Sequence, residues 1–270
     1  MKIWHHSFTV LENLPAYAQA MSEHLNRVAA PGTEIVMHGM HRDTYRTEYP
    51  GNDIMYSYFQ TLHSQQFVMG AIEAEEQGFD CFALTTLPEP SLMEIRSLVD
   101  IPVVGYGESA MLAGSMLGQK LGVLLFIRGM AGTVERNVER MGLSSRFVGA
   151  QEVSFTFNDV LAAYAGDPAP LLETFKQDAR ALIARGADVI IPGEAPLNLL
   201  LARGGLNNVD GVPVLDALAA TIKTAEMMVG IRQATGVSPC RRGYFQAKPP
   251  RERVKELHGF YGLSRIGDGA

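Results

Sequence analysis

Short apolar runs alternate with stretches of helical periodicity along most of this chain, and this alternation limits the possible folds more than any other feature. Apolar runs separated by helices are typical of β-α units in a parallel sheet. The predicted strands are residues 2–6, 34–38, 81–85, 102–104, 121–126, 144–148, 189–191 and 213–215. The predicted helices are residues 15–29, 55–77, 91–99, 109–117, 133–141, 170–185 and 215–228. The chain is therefore predicted to be an α/β protein.

Two stretches roughly 108 residues apart follow one plan. A Gly-x-Asp sequence at residues 78–80 opens the first unit and another at residues 186–188 opens the second; each continues as strand, loop, helix and strand. The duplication predicts two similar lobes related by a pseudo-two-fold axis, with an active site in the cleft between them, beyond the carboxyl ends of the parallel strands. The predicted lobes are residues 1–105 plus 215–243 and residues 106–214, followed by a C-terminal extension at 244–270.

Composition excludes several classes of protein. Of the 270 residues, 47% are hydrophobic and 19% are charged, so the chain can bury a core and is not expected to be disordered. The net charge is −6 and we expect no nucleic-acid partner. No apolar run is long enough to span a bilayer, and residues 1–14 lack the apolar core of a signal peptide. We therefore expect a cytoplasmic protein with a small-molecule substrate and no membrane partner.

The repeat places Thr86 and Glu194 in the same register, each eight residues after the first glycine of its unit. A cleft between the lobes would present a hydroxyl from one side and a carboxylate from the other. Isomerases need such facing groups, because one face of a carbon must lose a proton and the other must gain one. We expect the neighbouring loop residues to bind substrate: Thr85, Gly193, Ala195 and Pro196.

Further candidates come from two other strand ends. His5 and His6 end the first strand, and because adjacent side chains face opposite sides of a sheet, at most one of them should enter the cleft. Gly107 and Glu108 follow another strand; this glycine-rich turn could cradle a substrate carboxylate or pack helix against strand. The acidic residue that a nicotinamide site requires after the next strand is missing, so no cofactor is predicted.

The sequence provides weaker support for metal binding and for thiol chemistry. His38 and His41, with the strand-end histidines and Glu194, could form a zinc site, but hydrogen-bonded loop histidines are commoner and we predict no metal. Cys81 and Cys240 are too few for a disulfide framework.

Two segments suggest other roles. The aromatic residues after His38 could form a lid over a ring substrate or pack in the core: Tyr45, Tyr49, Tyr56, Tyr58 and Phe59. The tail from residue 241 onward is expected to pack on a neighbouring subunit, which predicts a homo-oligomer.

The repeat loops resemble those of the aspartate/glutamate/hydantoin racemase superfamily, and the likeness spans roughly residues 1–243. It is carried by Gly78-x-Asp80, Pro90-x-Leu92, the run at residues 98–111, Gly186-Ala-Asp-Val-Ile-Ile-Pro-Gly193 and the run at residues 211–220. The resemblance implies a two-lobe fold in which each lobe supplies one catalytic cysteine. Thr86 and Glu194 stand where the family has those cysteines, so the chain is identified as a divergent member that lacks both thiols.

These observations predict a cofactor-independent isomerase that transfers a proton at a carbon next to a carbonyl, in a small carboxylate or hydantoin-like substrate. Glu194 would act as acid and base, Thr86 and nearby amides would stabilise the enolate oxygen, and His6 could return the proton on the other face. Three alternatives stay open. Glu194 could activate water in a hydrolase or protonate a carbanion in a decarboxylase, or the chain could be a non-catalytic ligand-binding protein.

Overall fold

The computed structural model describes residues 1–263 and contains two parallel sheets. The strands are β1 (Lys2–His6), β2 (Glu34–His38), β3 (Cys81–Leu84), β4 (Val103–Gly105), β5 (Leu121–Leu125), β6 (Phe147–Glu152), β7 (Val189–Pro192), β8 (Asn208–Val209) and β9 (Val212–Pro213). The first sheet has the order β2-β1-β3-β4 and the second has the order β6-β5-β7, while β8 and β9 form a short antiparallel pair. The predicted α/β class with parallel sheets is confirmed.

Helices flank both sheets. They are α1 (Pro15–Val28), α2 (Gly51–Ile54), α3 (Ser57–Glu76), α4 (Leu92–Leu98), α5 (Tyr106–Leu117), α6 (Ala131–Arg140), α7 (Phe157–Ala165), α8 (Ala169–Ala184), α9 (Ala195–Arg203), α10 (Ala217–Thr235) and α11 (Arg251–Tyr261). Every residue of β3, β4, β5 and β7 is buried. These strands read as continuous apolar runs because helices cover both of their faces.

The register of the strands brings their carboxyl ends to one edge of each sheet. In the first sheet His6 pairs with His38 and with Leu84. In the second sheet Leu124 pairs with Pro192. The loops that follow β1, β3, β5 and β7 therefore leave the sheets at these edges, which is where the sequence predicts the site.

Two predicted strands differ in the structure. Residues 144–148 begin as a 3-10 helix at Ser144–Arg146, and β6 starts only at Phe147. The pairing of β6 with β5 is irregular near Gly149, whose φ of 142° is accessible mainly to glycine. Residues 213–215 form only the end of β9 and a single parallel bridge between Ile190 and Val214.

Helix α7 is absent from the sequence prediction, although its start carries a local signal. The Thr156 hydroxyl and the Asp159 carboxylate form a reciprocal capping box with the backbone amides of the first turn. This arrangement satisfies two amides that would otherwise lack partners, so it fixes where the helix begins. The Thr-x-x-Asp spacing is therefore the signal that could have predicted α7.

The two sheets share a core. One apolar cluster joins residues of the first sheet, such as Phe82 and Val104, to residues of the second, such as Val123 and Ile191. Helices α5 and α10 pack against each other, and α10 also packs on β3 and β4. The lobe boundaries after residues 105 and 214 stay a prediction.

The tail from residue 241 onward makes contacts with its own chain in the described part, and its predicted packing on a neighbouring subunit stays a prediction. Arg241 and Lys248 contact Asp100 at 2.9 and 2.5 Å, and Arg251 contacts Glu75 at 2.9 Å. The acidic groups of α3 and of the turn after α4 thus hold the basic tail. Residues 264–270 of the predicted extension lie outside the described residues, and the oligomeric state stays a prediction. Within residues 1–263, no helix is both long and apolar enough to cross a membrane.

Candidate active site

Loops from both sheets meet around a cavity of about 60 Å³. Most of its wall consists of residues 7–9, 85–88, 126–127 and 194–196, which follow β1, β3, β5 and β7. The rest comes from residues 49–51, Ile54 and Phe157. Because parallel strands end at a common edge, one cavity collects residues that are far apart in sequence.

Glu194 lies between β7 and α9 and brings a buried carboxyl group to this cavity. Pro196 at the start of α9 favours helix initiation, which leaves Glu194 as the residue that precedes the helix. The side chain is almost fully buried, with 5% of the residue exposed, and Oε1 accepts hydrogen bonds from the amides of Phe126 (3.0 Å) and Ile127 (2.9 Å). Burial raises the pKa of Glu194 to about 8 against the opposing effect of these amides. The group can therefore gain or lose a proton near neutral pH.

Thr86 brings a hydroxyl to the same cavity from the first sheet. Its carbonyl accepts the amide of Glu89 at 3.2 Å, which closes a tight turn after β3. Within residues 1–263 the Thr86 hydroxyl has no protein hydrogen-bond partner, so it is available to a ligand. The neighbouring Thr85 hydroxyl also lines the cavity, but it is engaged by His5 Nε2 and by the carbonyl of His6, each at 2.8 Å.

The two strand-end histidines do not line the cavity. His5 lies behind Thr85, and burial followed by the nearby His38 lowers its pKa to about 3, so it is neutral. His6 points to the other face of β1, where its ring contacts Phe67 with centroids 4.7 Å apart and its Nδ1 accepts a hydrogen bond from the Trp4 indole at 3.2 Å. His6 is therefore not positioned to return a proton to a ligand in this cavity, contrary to the prediction. The alternation of side chains had left open which histidine faces which side.

Gly107 and Glu108 also lie outside the cavity wall. The glycine-rich turn that they form binds the side-chain carboxylate of Glu89. The amide of Glu108 donates to Glu89 Oε1 at 2.8 Å, and Gly105 and Gly107 pack on the same carboxyl group. The Glu108 carboxylate points elsewhere and pairs with Arg96. The predicted cradle for a substrate carboxylate is thus occupied.

Glu89 is the residue that the sequence analysis missed. It is 4% exposed, and its φ of 48° lies in the left-handed region that non-glycine residues rarely adopt. Burial raises the pKa of Glu89 to about 7. The signal was available in principle, since Glu89 stands between Pro88 and Pro90 in the loop that corresponds to the Glu194 loop. Each loop therefore contains a buried carboxyl group bound by amides at the end of a neighbouring strand.

Of the remaining predicted binding residues, two line the cavity and one lies behind its wall. Ala195 and Pro196 line the cavity directly. Gly193 lies behind the wall, where its amide donates to Leu124 O at 2.7 Å. A side chain at this position would crowd that carbonyl and Leu125, so the glycine permits β7 to end close to β5.

The histidines do not form a metal site in the described part of the chain. His38 stacks on Trp4 with ring centroids 3.3 Å apart, and among residues 1–263 no three His, Cys, Asp or Glu side chains are grouped to hold a metal ion. Cys81 is fully buried in β3, which raises the pKa of its thiol, and Cys240 is exposed between α10 and the C-terminal extension.

Of the five aromatic residues proposed as a lid, only Tyr49 lines the cavity. Its ring stacks on Phe157 with centroids 4.8 Å apart and an interplanar angle of 24°. Burial, followed by the charge of Glu194, raises the pKa of Tyr49 to about 12. Tyr45 instead packs on His63, while Tyr56, Tyr58 and Phe59 are exposed.

The two buried carboxyl groups predict that stability falls as pH rises. Both fold with a pKa above the ordinary value of 4.5, about 8 for Glu194 and about 7 for Glu89. Between pH 4.5 and each raised pKa, the folded state keeps a proton that the unfolded state has released. Each group therefore lowers the free energy of unfolding as the pH rises, by at most about 1.4 kcal/mol per pH unit. The buried neutral His5 and His6 oppose this decrease below about pH 6.5, because unfolding lets them bind protons there. Denaturant titrations between about pH 7 and about pH 8 should therefore show the decrease, and Glu194→Gln should reduce it. Equal pH dependence in the two proteins would contradict the raised pKa of Glu194.

Comparison with known sequences relates the chain to racemases. The family profile described as Asp/Glu/Hydantoin racemase matches residues 15–225. The chain is 28% identical over 181 residues to a hydantoin racemase of Pseudomonas sp. (strain NS671), which covers 66% of this chain and 70% of that protein. It is 25% identical over 163 residues to a hydantoin racemase of Rhizobium meliloti, covering 60% of this chain and 66% of that protein.

Solved structures share the fold. The allantoin racemase from Klebsiella pneumoniae superposes with a TM-score of 0.74 at 22% identity, covering 93% of this chain and 94% of that chain. The glutamate racemase from Thermus thermophilus gives a TM-score of 0.52 at 17% identity, covering 98% of this chain and 94% of that chain. At these identities the likeness describes the architecture alone.

Proposed function

Because this chain belongs to the Asp/Glu/hydantoin racemase family, a family of racemase-type isomerases, we propose that it inverts a carbon next to a carbonyl group in a small hydantoin-like ring. One observation carries the proposal above all. The carboxyl group of Glu194, whose pKa burial raises to about 8, lies at the wall of a cavity that also receives the free hydroxyl of Thr86. A proton carrier and a hydrogen-bond donor for an oxyanion thus meet at one small cavity.

The size and lining of the cavity support a compact ring as substrate. A volume of about 60 Å³ holds roughly four to six water-sized groups. Apolar side chains such as Phe8, Leu87 and Phe126 form much of the wall, which suits the faces of a flat ring. The names of the sequence relatives, hydantoin racemases, point to the same substrate class.

In the proposed reaction the Glu194 carboxylate removes the proton from the ring carbon. The electron pair of the broken C–H bond moves onto the adjacent carbonyl, which becomes an enolate oxygen. The Thr86 hydroxyl donates a hydrogen bond to that oxygen. Such a donor stabilises charge that develops only as the proton leaves, so it lowers the barrier more than it tightens substrate binding.

Inversion also requires a proton on the opposite face, and we assign this step to the Tyr49 phenol. Tyr49 is the other titratable side chain at the cavity wall, and its pKa of about 12 keeps it protonated at neutral pH. The phenol gives its proton to the enolate carbon as the carbonyl re-forms. Proton transfer from the Glu194 carboxylic acid to the phenolate through solvent then restores both groups, and the opposite enantiomer follows the reverse path.

Exchange in heavy water tests the two roles separately. Each enantiomer of a 5-substituted hydantoin is incubated with the protein in D2O, and deuterium at the ring carbon and configuration are measured after subtraction of the uncatalysed rate. The wild-type protein should invert the ring carbon and incorporate deuterium. Tyr49→Phe should still exchange the enantiomer whose C–H faces Glu194, but with retention, because deuterium returns from the same carboxyl group.

Several outcomes would contradict the proposal. Wild-type protein that neither exchanges nor inverts the ring carbon would exclude the isomerase. A product heavier by one water would identify a hydrolase, loss of carbon dioxide a decarboxylase, and binding without turnover a ligand-binding protein. Unchanged inversion in Tyr49→Phe would remove Tyr49 from the mechanism while leaving the isomerase itself intact.

A further inference from the structure

A second, larger cavity adjoins the candidate active site. Its volume is about 360 Å³, and it shares Ile54, Pro88 and Ile127 with the wall of the inner cavity. The inner cavity has room for a small ring, so a substituent on that ring must extend beyond it. The shared residues make the second cavity, which we call the outer cavity, a neighbouring space for such a substituent.

The outer cavity is lined by positive charge. Arg128 and Arg136 contribute to its wall, together with the hydroxyl or amide groups of Ser57, Gln60 and Thr133, and no carboxylate belongs to the lining. This is a local excess of cations on a chain whose net charge is −6. The wall therefore favours an anionic group over a neutral one of the same shape.

The two arginines differ in their partners. Arg128 pairs with Glu152 at 3.2 Å, so part of its charge is already compensated. Arg136 donates to the Thr133 hydroxyl at 2.9 Å, and no carboxylate among residues 1–263 lies within ion-pair distance of it. Arg136 therefore presents an uncompensated guanidinium, which has the fork geometry that suits a carboxylate.

We propose that the substrate carries an acidic substituent, a carboxylate on a short chain attached to the inverted carbon, and that Arg136 binds it in the outer cavity. The inference rests on the proposed function, since the inverted ring must occupy the inner cavity. A third cavity, which shares Tyr49 and Gly51 with the inner one, contacts Arg128 but not Arg136. Because Arg128 lines both of these cavities, only selection by Arg136 is specific to the outer cavity.

A matched pair of substrates tests the inference. 5-(2-Carboxyethyl)hydantoin and 5-(2-carbamoylethyl)hydantoin have nearly the same shape and differ in charge. We expect wild-type kcat/KM for inversion to be about ten- to a hundredfold higher for the carboxylate, the range of one hydrogen bond to a charged group. Arg136→Gln should remove this preference, so that kcat/KM for the carboxylate falls to that for the amide.

Arg140→Gln is the control, because Arg140 ends the same helix α6 but does not line the outer cavity. It should leave kcat/KM for both substrates at the wild-type value. Equal turnover of the two hydantoins by the wild-type protein, or a preference that persists in Arg136→Gln, would overturn the inference and leave the proposed isomerase standing. A preference lost only in Arg128→Gln would overturn the assignment to Arg136. Inversion of neither hydantoin would overturn the inference together with the proposed function.

Discussion

Glu194→Gln is expected to lower kcat for inversion of a hydantoin ring carbon by about 10²- to 10⁴-fold, the contribution of a positioned acid or base. The glutamine amide cannot carry the proton. Its single carbonyl oxygen can still accept both backbone amides, because Phe126 and Ile127 each donate to Oε1. The variant should therefore fold and retain the cavity while losing the chemistry. Steady-state kinetics with either enantiomer measure the loss.

Glu226→Gln is the matched control for this change. Glu226 is another carboxylate that accepts a backbone amide, from Ala30 at 2.7 Å, and it lies on α10 away from the cavity. It should leave kcat unchanged. Wild-type kcat/KM should in addition rise with pH up to about 8, because the raised pKa of Glu194 leaves only roughly a tenth of the carboxyl group ionised at pH 7. Activity of Glu194→Gln close to that of the wild type would remove Glu194 from the mechanism.

Gly105→Ala is expected to disturb the active site from a distance. An alanine methyl group at this position would overlap Oε1 of Glu89 and crowd Leu92. The backbone of Gly105 has ordinary extended angles, so the effect comes from crowding and not from backbone strain. We expect the free energy of unfolding to fall by about 1–3 kcal/mol, as for other overpacked sites. We also expect kcat to fall by about a hundredfold, because displaced Glu89 would shift the turn that positions Thr86.

Gly230→Ala separates this effect from the general consequence of replacing glycine. Gly230 lies within α10, and a methyl group there would meet no atom within 4 Å. It should raise the free energy of unfolding by about 0.4–1 kcal/mol and leave kcat unchanged. Thermal unfolding and kinetics on the two variants provide the comparison. Wild-type stability and kcat in Gly105→Ala would show that Glu89 does not hold the Thr86 turn.

The sequence predicts the meeting of Thr86 and Glu194 at one cavity because two general rules determine it. The repeat places both residues in the loop after a strand, and parallel strands end at a common edge. Neither rule depends on side-chain packing. The exact strand limits matter little, which is why the irregular start of β6 leaves this part of the prediction intact.

The positions of His6 and Glu89 depend on packing that no local pattern encodes. The side of β1 that faces the cavity is decided by the contacts of Trp4 and Phe67 with the His6 ring. Likewise, a Gly-x-Gly turn indicates room for an anion, but not whether the anion is a ligand or a side chain from elsewhere in the chain. Glu89 takes that place only because the turn after β3 folds back onto the start of α5.

The stacking of Tyr49 on Phe157 has a kinetic consequence. The two rings join the segment before α2 to the start of α7, and both residues line the inner cavity, so separating the rings would open its wall. An aromatic pair contributes about 0.5–1.5 kcal/mol, which corresponds to roughly a two- to thirteenfold bias toward the joined arrangement. This ring pair therefore adds little to the free-energy cost of ligand exchange. In the proposed reaction we expect breaking of the C–H bond, and not ligand exchange, to limit the rate.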